Sequence, residues 1–160
     1  MRTYKIKEIA QIINGSTPST KNKAYWNGNI VWITPSDLSS FNGKYIYTSN
    51  KLITKEGYDS CSTTLVPKGT VLLSSKASIG YLAIAGVELC TSQGFKSLVC
   101  NPALINNEYM YYWLSTKIKF FNSISSGAVM KELTTDILEN INIELPNFNT
   151  QQHIVNIRGI

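Results

Sequence analysis

The chain has 160 residues, of which 43% are hydrophobic and 16% are charged. This length predicts a single domain, and the composition is that of a globular protein with a buried core, which excludes an intrinsically disordered chain. No apolar run approaches the roughly 18 residues of a membrane span, and residues 1–5 lead into no signal-peptide core. We therefore expect a cytoplasmic protein without membrane contact.

The charge balance favours an anionic partner. Lysine and arginine total 15 against 10 aspartates and glutamates, a net charge of +5, which is a moderate excess and not a polybasic tail. The arginines are Arg2 and Arg158, both near the termini. If the partner is DNA, lysine, asparagine, glutamine, serine and threonine would have to read it in place of the common contact from arginine to guanine.

The sequence lacks the usual signatures of a catalytic or metal site. Cys61, Cys90 and Cys100 form no C-x-x-C pair, and the lone His153 is distant in sequence, so we interpret the cysteines as small buried hydrophobes. No two glycines are separated by one residue, and no P-loop occurs. We expect no active site and no cofactor within this chain.

A polar loop follows the first predicted element. Ile6, Ile9, Ala10 and Ile13 have helical spacing, which predicts a short helix that ends at Asn14-Gly15. Residues 15–25 then carry two lysines, several hydroxyls and an asparagine before Tyr25-Trp26. Cations, hydrogen-bonding side chains and aromatic rings suit nucleic acid. The alternative is a solvated loop whose Trp26 and Trp32 belong to the core.

The remaining pattern predicts short strands followed by helices. Buried strands are expected at 30–33, 70–73, 81–85 and 95–99, with polar loops at 74–78 and 125–131. An apolar stripe (Met110, Trp113, Leu114, Ile118, Phe121) predicts the strongest helix. Thr54 and Thr134 or Thr135 are expected to cap short helices, 141–145 alternates like a half-buried strand, and Gln151 begins a last helix. This indicates a single α+β domain with a twisted, mixed or antiparallel sheet and short helices near both ends.

Several short motifs, in this order, resemble one known family. They are Gly15-x-Thr17-Pro18, Tyr25-Trp26-x-Gly28-x-Ile30-x-Trp32-Ile33, Ile53-Thr54-x-x-Gly57, Pro67-x-Gly69-x-Val71-Leu72, Ser78-Ile79-Gly80, Gln93-Gly94, the Tyr109–Leu114 helix, Gly127, and Leu145-Pro146 followed by Gln151, Gln152 and Ile154. Together they resemble a target recognition domain of the specificity subunit of type I restriction–modification enzymes. The resemblance covers about residues 4–155.

That resemblance implies sequence-specific recognition of double-stranded DNA without catalysis. In this family, methyltransferase subunits bind AdoMet, restriction subunits use ATP and Mg2+, and each recognition domain of the specificity subunit reads one half of a split site. It implies a recognition domain at residues 1–150 and the start of a spacer helix at 151–160. An excised domain, a fragment, and a half-subunit that pairs with a second copy remain open, as does a second recognition domain beyond the spacer.

We expect polar loops on one side of the sheet to contact DNA. The candidates for phosphate contacts are Lys21, Lys23, Lys44, Lys76 and Lys131, since a lysine positions DNA without reading its sequence. The candidates for hydrogen bonds to base edges are Asn22, Asn27, Ser75, Ser78, Gln93 and Ser126. The alternative interpretations are a turn lysine for Lys44, a structural amide for Gln93, and aromatic side chains that pack under the loop for Tyr25 and Trp26.

Two other functions are compatible with these residues. The chain could be the recognition domain of a single-chain DNA methyltransferase or a restriction–methylation fusion. It could also be a protein-interaction module whose positive charge is incidental.

Overall fold

The computed structural model describes residues 1–127 and 131–159, and a five-stranded sheet forms its centre. The strands are β1 (Arg2–Lys5), β2 (Ala10–Asn14), β3 (Trp26–Ile33), β4 (Tyr45–Ile46), β5 (Leu52–Ile53), β6 (Val71–Ser74), β7 (Leu82–Ala85), β8 (Cys90–Thr91), β9 (Phe95–Cys100) and β10 (Asn142–Leu145). The helices are α1 (Ile6–Ile9), α2 (Pro35–Ser39), α3 (Lys55–Asp59), α4 (Asn107–Ser115), α5 (Ile118–Ile124), α6 (Thr135–Glu139) and α7 (Phe148–Arg158), with a 3-10 helix at Lys23–Tyr25.

Antiparallel pairing dominates the central sheet. Its order is β2-β9-β6-β7-β4, and only the edge strand β4 runs parallel to its neighbour. A three-stranded sheet, β5-β3-β8, and a two-stranded sheet, β1-β10, accompany it. The expected α+β fold with a mixed sheet and short helices is confirmed.

The central sheet is buried on both faces. On β6, Val71 and Leu73 point to one face and Leu72 to the other, and all three are fully buried. The first face packs against α1, α4, α5 and α6, and the second against α2 and β3. Burial of both faces explains why this strand is a continuous apolar run and not an alternating one.

The predicted helix over residues 6–13 is wrong beyond Ile9. The chain leaves the helix at Ala10 and continues as β2, in which Ala10 pairs with Cys100 and Asn14 with Lys96. The apolar residues fit a helical period locally, but the unpaired edge of β9 offers this segment a full set of backbone hydrogen bonds. Long-range pairing therefore overrides the local spacing.

Smaller differences concern boundaries. The long apolar stripe of residues 110–121 is divided between α4 and α5, because the chain turns at Thr116 and Lys117. The last helix begins at Phe148, with Asn147 as its cap, and not at Gln151. Thr54 and Thr134 cap α3 and α6 as predicted.

The described residues include no helix that is long and apolar enough to cross a membrane.

Gln151 anchors α7 to the rest of the domain. Its side chain is buried, with 1% of its surface exposed. The amide oxygen accepts from the backbone of Asn106 at 2.8 Å, and the amide nitrogen donates to the carbonyls of Leu104 at 3.2 Å and Pro146 at 3.0 Å. One side chain thus joins the start of α7 to the segment before α4.

We predict that Gln151→Ala lowers the free energy of unfolding by about 2–3 kcal/mol, because it leaves buried backbone groups unpaired. His153→Ala is the matched control, since His153 is exposed on the same helix, and its effect should stay within about 0.5 kcal/mol. Urea denaturation followed by circular dichroism measures both. Equal losses for the two variants would contradict the anchoring role.

Candidate nucleic-acid interface

Polar loops meet at one edge of the central sheet. There β2 ends at Asn14, β6 ends at Ser74, β7 begins at Leu82 and β9 begins at Phe95. Since these neighbouring strands alternate in direction, these four ends lie on the same edge. We call the residues gathered at this edge, 14–17, 74–80, 91–94, 125–127 and 131–135, the loop cluster.

Backbone hydrogen bonds join these segments to one another. Ser75 is central, because its N–H donates to the Gly94 carbonyl at 2.9 Å and its carbonyl accepts from Leu133 at 2.7 Å. The other links are Ser16 to Thr91 at 3.0 Å, Ala77 to Lys131 at 2.8 Å, and the reciprocal pair Ser126 and Glu132 at 2.8 and 3.0 Å. The loops thus form a hydrogen-bonded surface and do not project separately into solvent.

Gly15 permits the first of these contacts. A Cβ atom at this position would collide with the carbonyl oxygen of Ser92 and with the Thr91 hydroxyl. A glycine is therefore required where the chain leaves β2 and passes the 91–94 segment.

An ion pair between a buried lysine and a half-buried glutamate lies beneath the loop cluster. Lys96 is only 4% exposed, and its Nζ lies 3.5 Å from a carboxylate oxygen of Glu132. Burial lowers the pKa of Lys96, the carboxylate of Glu132 partly offsets this, and the positive charge of Lys76 adds to the lowering. Glu132 thus links the 131–135 segment to β9 through charge as well as through its backbone.

Gln93 is held at the surface by a neighbouring loop. The Thr17 hydroxyl donates to its amide oxygen, and the Gln93 side chain is exposed. Within the described residues, the amide NH2 group of Gln93 has no protein acceptor. The arrangement leaves a hydrogen-bond donor facing outward, which is the kind of group that contacts base edges.

Two tryptophans support the adjoining loop of residues 15–25. The Trp32 indole N–H donates to the Ser16 carbonyl at 3.0 Å, and that of Trp26 donates to the Ser19 carbonyl at 3.0 Å. Their rings meet edge to face, with centroids 5.2 Å apart. The alternative interpretation, that Trp26 packs under the loop, is confirmed, and the indole N–H of Trp26 already donates to a loop carbonyl.

The 15–25 loop carries three of the candidate residues. Lys21 and Lys23 are exposed, while the Asn22 side chain accepts from the backbone of Ala24 at 3.0 Å and caps the 3-10 helix. Asn27 follows, also exposed, with a φ of +61° that asparagine tolerates better than most residues.

Lys51 is a cation that the sequence analysis missed. It lines a shallow cavity of about 220 Å³ with Asn27 and Trp26, and its Nζ lies 5.7 Å from the centroid of the Trp26 ring. Nothing in the local sequence marks this lysine, because the antiparallel pairing of β3 with β5 brings it to Trp26.

Lys44 lies away from this surface, and the side chain of Ser75 is buried beneath it. Lys44 forms an ion pair with Glu108 and donates to the Tyr112 hydroxyl at 3.0 Å, on the α4 side of the molecule. Burial alone would lower the pKa of Lys44, but these hydrogen bonds and the Glu108 charge outweigh it and raise the pKa.

Ser75 belongs to the loop cluster, but its side chain is completely buried, so its hydroxyl does not reach the surface.

The remaining candidates fall within the loop cluster, although not all are equally accessible. Ser78, Gln93, Ser126 and Lys131 are exposed, and Lys76 is half-buried. Residues 128–130 of the second predicted loop lie outside the described residues. Six of the eleven candidate residues are therefore gathered at one edge: Ser75, Lys76, Ser78, Gln93, Ser126 and Lys131.

The described residues hold no cluster of three histidine, cysteine or acidic side chains that could bind a metal ion. Cys61, Cys90 and Cys100 are free thiols. Burial raises the pKa of Cys90 to about 11 and that of Cys100 to about 12, which disfavours the nucleophilic thiolate form of both at neutral pH.

Sequence comparison finds relatives among specificity subunits. The chain is 41% identical over 155 residues to the type I restriction enzyme MjaIX specificity subunit of Methanocaldococcus jannaschii, a match over 96% of this chain and 36% of the relative. It is 26% identical over 157 residues to the EcoR124I/EcoR124II specificity subunit of Escherichia coli, over 94% of this chain and 38% of the relative. The chain thus spans a little over a third of the length of the curated relatives it matches.

The fold agrees with a solved structure. The crystal structure of the HsdS subunit from Thermoanaerobacter tengcongensis superposes with a TM-score of 0.75 at 20% identity, over 98% of this chain and 35% of that one. A family profile described as the type I restriction modification DNA specificity domain matches residues 1–157. The chain therefore belongs to the family of type I restriction–modification DNA specificity domains.

Proposed function

We propose that this chain recognises double-stranded DNA through the loop cluster and the adjoining 15–25 loop, without catalysing a reaction itself. The observation that carries the proposal is the hydrogen-bonded set of polar loops at one sheet edge, with lysines and the outward amide of Gln93. It occurs in a chain of the DNA specificity family. Reading one half of a split target site is the function that fits one such domain.

The biological context follows from the relatives, which are named as specificity subunits of type I restriction enzymes. We extend this to the chain as a proposal: it acts in the cytoplasm with methyltransferase and restriction subunits, which would bind AdoMet, ATP and Mg2+. In this proposal residues 1–150 form the recognition domain, and residues 151–160 are the start of a spacer. A second recognition domain or a second copy would read the other half-site.

Four lysines are our candidates for phosphate contacts: Lys21, Lys23, Lys76 and Lys131. Lys51 joins them because it lies beside Trp26 and Asn27. Lys44 is left out, because Glu108 already neutralises its charge. An ammonium group held near a phosphate supplies affinity without reading sequence.

Base reading is assigned to the exposed polar side chains. Gln93 is the first candidate, because its free NH2 group can donate to an acceptor on a base edge in the major groove while its oxygen is held by Thr17. Ser78, Ser126 and Asn27 supply further hydrogen-bonding groups. So does Asn22, whose amide oxygen caps the 3-10 helix while its NH2 group has no protein acceptor among the described residues.

We predict that Lys76→Ala and Lys131→Ala weaken DNA binding to a similar extent on all sequences. Each should make the slope of log affinity against log salt shallower by about 1. Lys68→Ala is the control, since Lys68 is exposed in the turn at the other end of β6. Fluorescence anisotropy with a labelled duplex at several salt concentrations measures these slopes. Unchanged slopes in both variants, or an equal change in the control, would contradict the lysine contacts.

We predict that Gln93→Ala relaxes the base preference at one position and leaves the melting temperature within a few degrees of the wild type. The loss of one good base contact corresponds to about 1–3 kcal/mol of discrimination. Selection from a randomised duplex library reads out the preference. Gln11→Ala, an exposed glutamine on β2 outside the loop cluster, serves as control. Unfolding of the Gln93 variant would instead establish the structural role.

The two alternative functions make different predictions. A protein-interaction module would show no salt-dependent DNA binding at all. A recognition domain from a single-chain methyltransferase would bind DNA but not capture separate methyltransferase subunits when joined to a complete spacer helix. A pull-down with those subunits distinguishes this case.

A further inference from the structure

The turn that carries Lys76 and Ser78 has an unusual backbone. Ala77 at its centre has a φ of +66°, and the N–H of Ser78 donates to the carbonyl of Lys76 at 2.7 Å. This is the γ-turn with positive φ, which is rare and strained. For alanine the conformation is unfavourable, because its Cβ crowds the backbone in a way that glycine avoids.

One buried side chain holds this turn in place. The Ser74 hydroxyl is fully buried and donates to the Ser78 carbonyl at 2.6 Å. The same oxygen accepts from the backbone N–H groups of Gly80 at 3.1 Å and Tyr81 at 2.8 Å. The hydroxyl thus adds to the backbone hydrogen bonds that join Ser74 to Gly80 and Tyr81, and it extends this network to the Ser78 carbonyl inside the turn.

The opposite side of the turn is tied to another loop. The N–H of Ala77 donates to the Lys131 carbonyl at 2.8 Å. Strained residues persist only where surrounding contacts over-determine them, and such positions concentrate at binding sites. Here the contacts come from Ser74 below and from the 131–135 segment beside it.

We infer that Ser74 is a positioning residue for DNA recognition: it fixes the strained turn at Ala77 so that Lys76 and Ser78 are in place before DNA arrives. A preorganised turn does not lose conformational entropy on binding, which raises affinity without adding a contact. The inference rests on the proposed function, since it assigns to Ser74 a role in the same DNA-binding surface.

A double-mutant cycle tests this role. Ser74→Ala removes the three hydrogen bonds of the hydroxyl, so amide hydrogen exchange at Tyr81 should become at least about tenfold faster. Gly80 keeps its bond to the Ser74 carbonyl and serves as an internal reference. Affinity for a labelled random-sequence duplex should fall by about fivefold, and by less than about twofold when Lys76 is already alanine. A purely structural role would lower affinity by the same factor in both backgrounds, and that result would overturn the inference.

Ala77→Gly supplies a second test if Ser74→Ala does not fold. Glycine relieves the strain but loosens the turn, so the melting temperature should stay the same or rise while DNA affinity falls by about threefold. Ala103→Gly is the control, an exposed alanine in the turn after β9 at the other end of the sheet, and it should leave affinity unchanged. Wild-type affinity in Ala77→Gly would overturn the inference.

Absence of salt-dependent DNA binding by the wild type would overturn the proposed function and this inference together. DNA binding without the expected coupling between Ser74 and Lys76 would overturn the inference alone.

Discussion

The antiparallel pairing of β9 with both β2 and β6 is the constraint on which the rest of the structure depends. It brings the end of β2, the hairpin between β6 and β7, and the start of β9 to one edge. Because both faces of this sheet are buried, its register is strongly specified, and a slip by one residue would turn apolar side chains away from their core. The loop cluster therefore stands on a rigid base.

Some lysines form ion pairs with carboxylates within the fold, whereas others are exposed to solvent. Lys96 and Glu132 neutralise each other beneath the loops, and Lys44 and Glu108 do so on the α4 side. Lys21, Lys23 and Lys131 are exposed. Each of these pairs removes one positive and one negative charge, so the remaining charged residues still carry the net charge of +5.

Local sequence patterns predicted much of the fold, while pairing between distant segments decided the rest. Continuous apolar runs located β6 and β7, and the caps at Thr54 and Thr134 located α3 and α6, because these signals are short-range. The helix expected through Ile13 became β2, since its partner lies far along the chain. For the candidate site, polarity and turn residues identified the loops, but the ion pair of Lys96 and the role of Lys44 depend on tertiary contacts that no local pattern reveals.

The central claim is that DNA lies across the loop cluster, and amide chemical-shift mapping by NMR tests it most directly. On titration with a DNA duplex, we expect shifts at residues 76–78, 93–94 and 126–127, at the edge where β2 ends and β9 begins. The turns at residues 67–69 and 101–105, at the opposite edge, should remain unchanged. Shifts confined to those opposite turns, with none in the loop cluster, would contradict DNA binding at this edge.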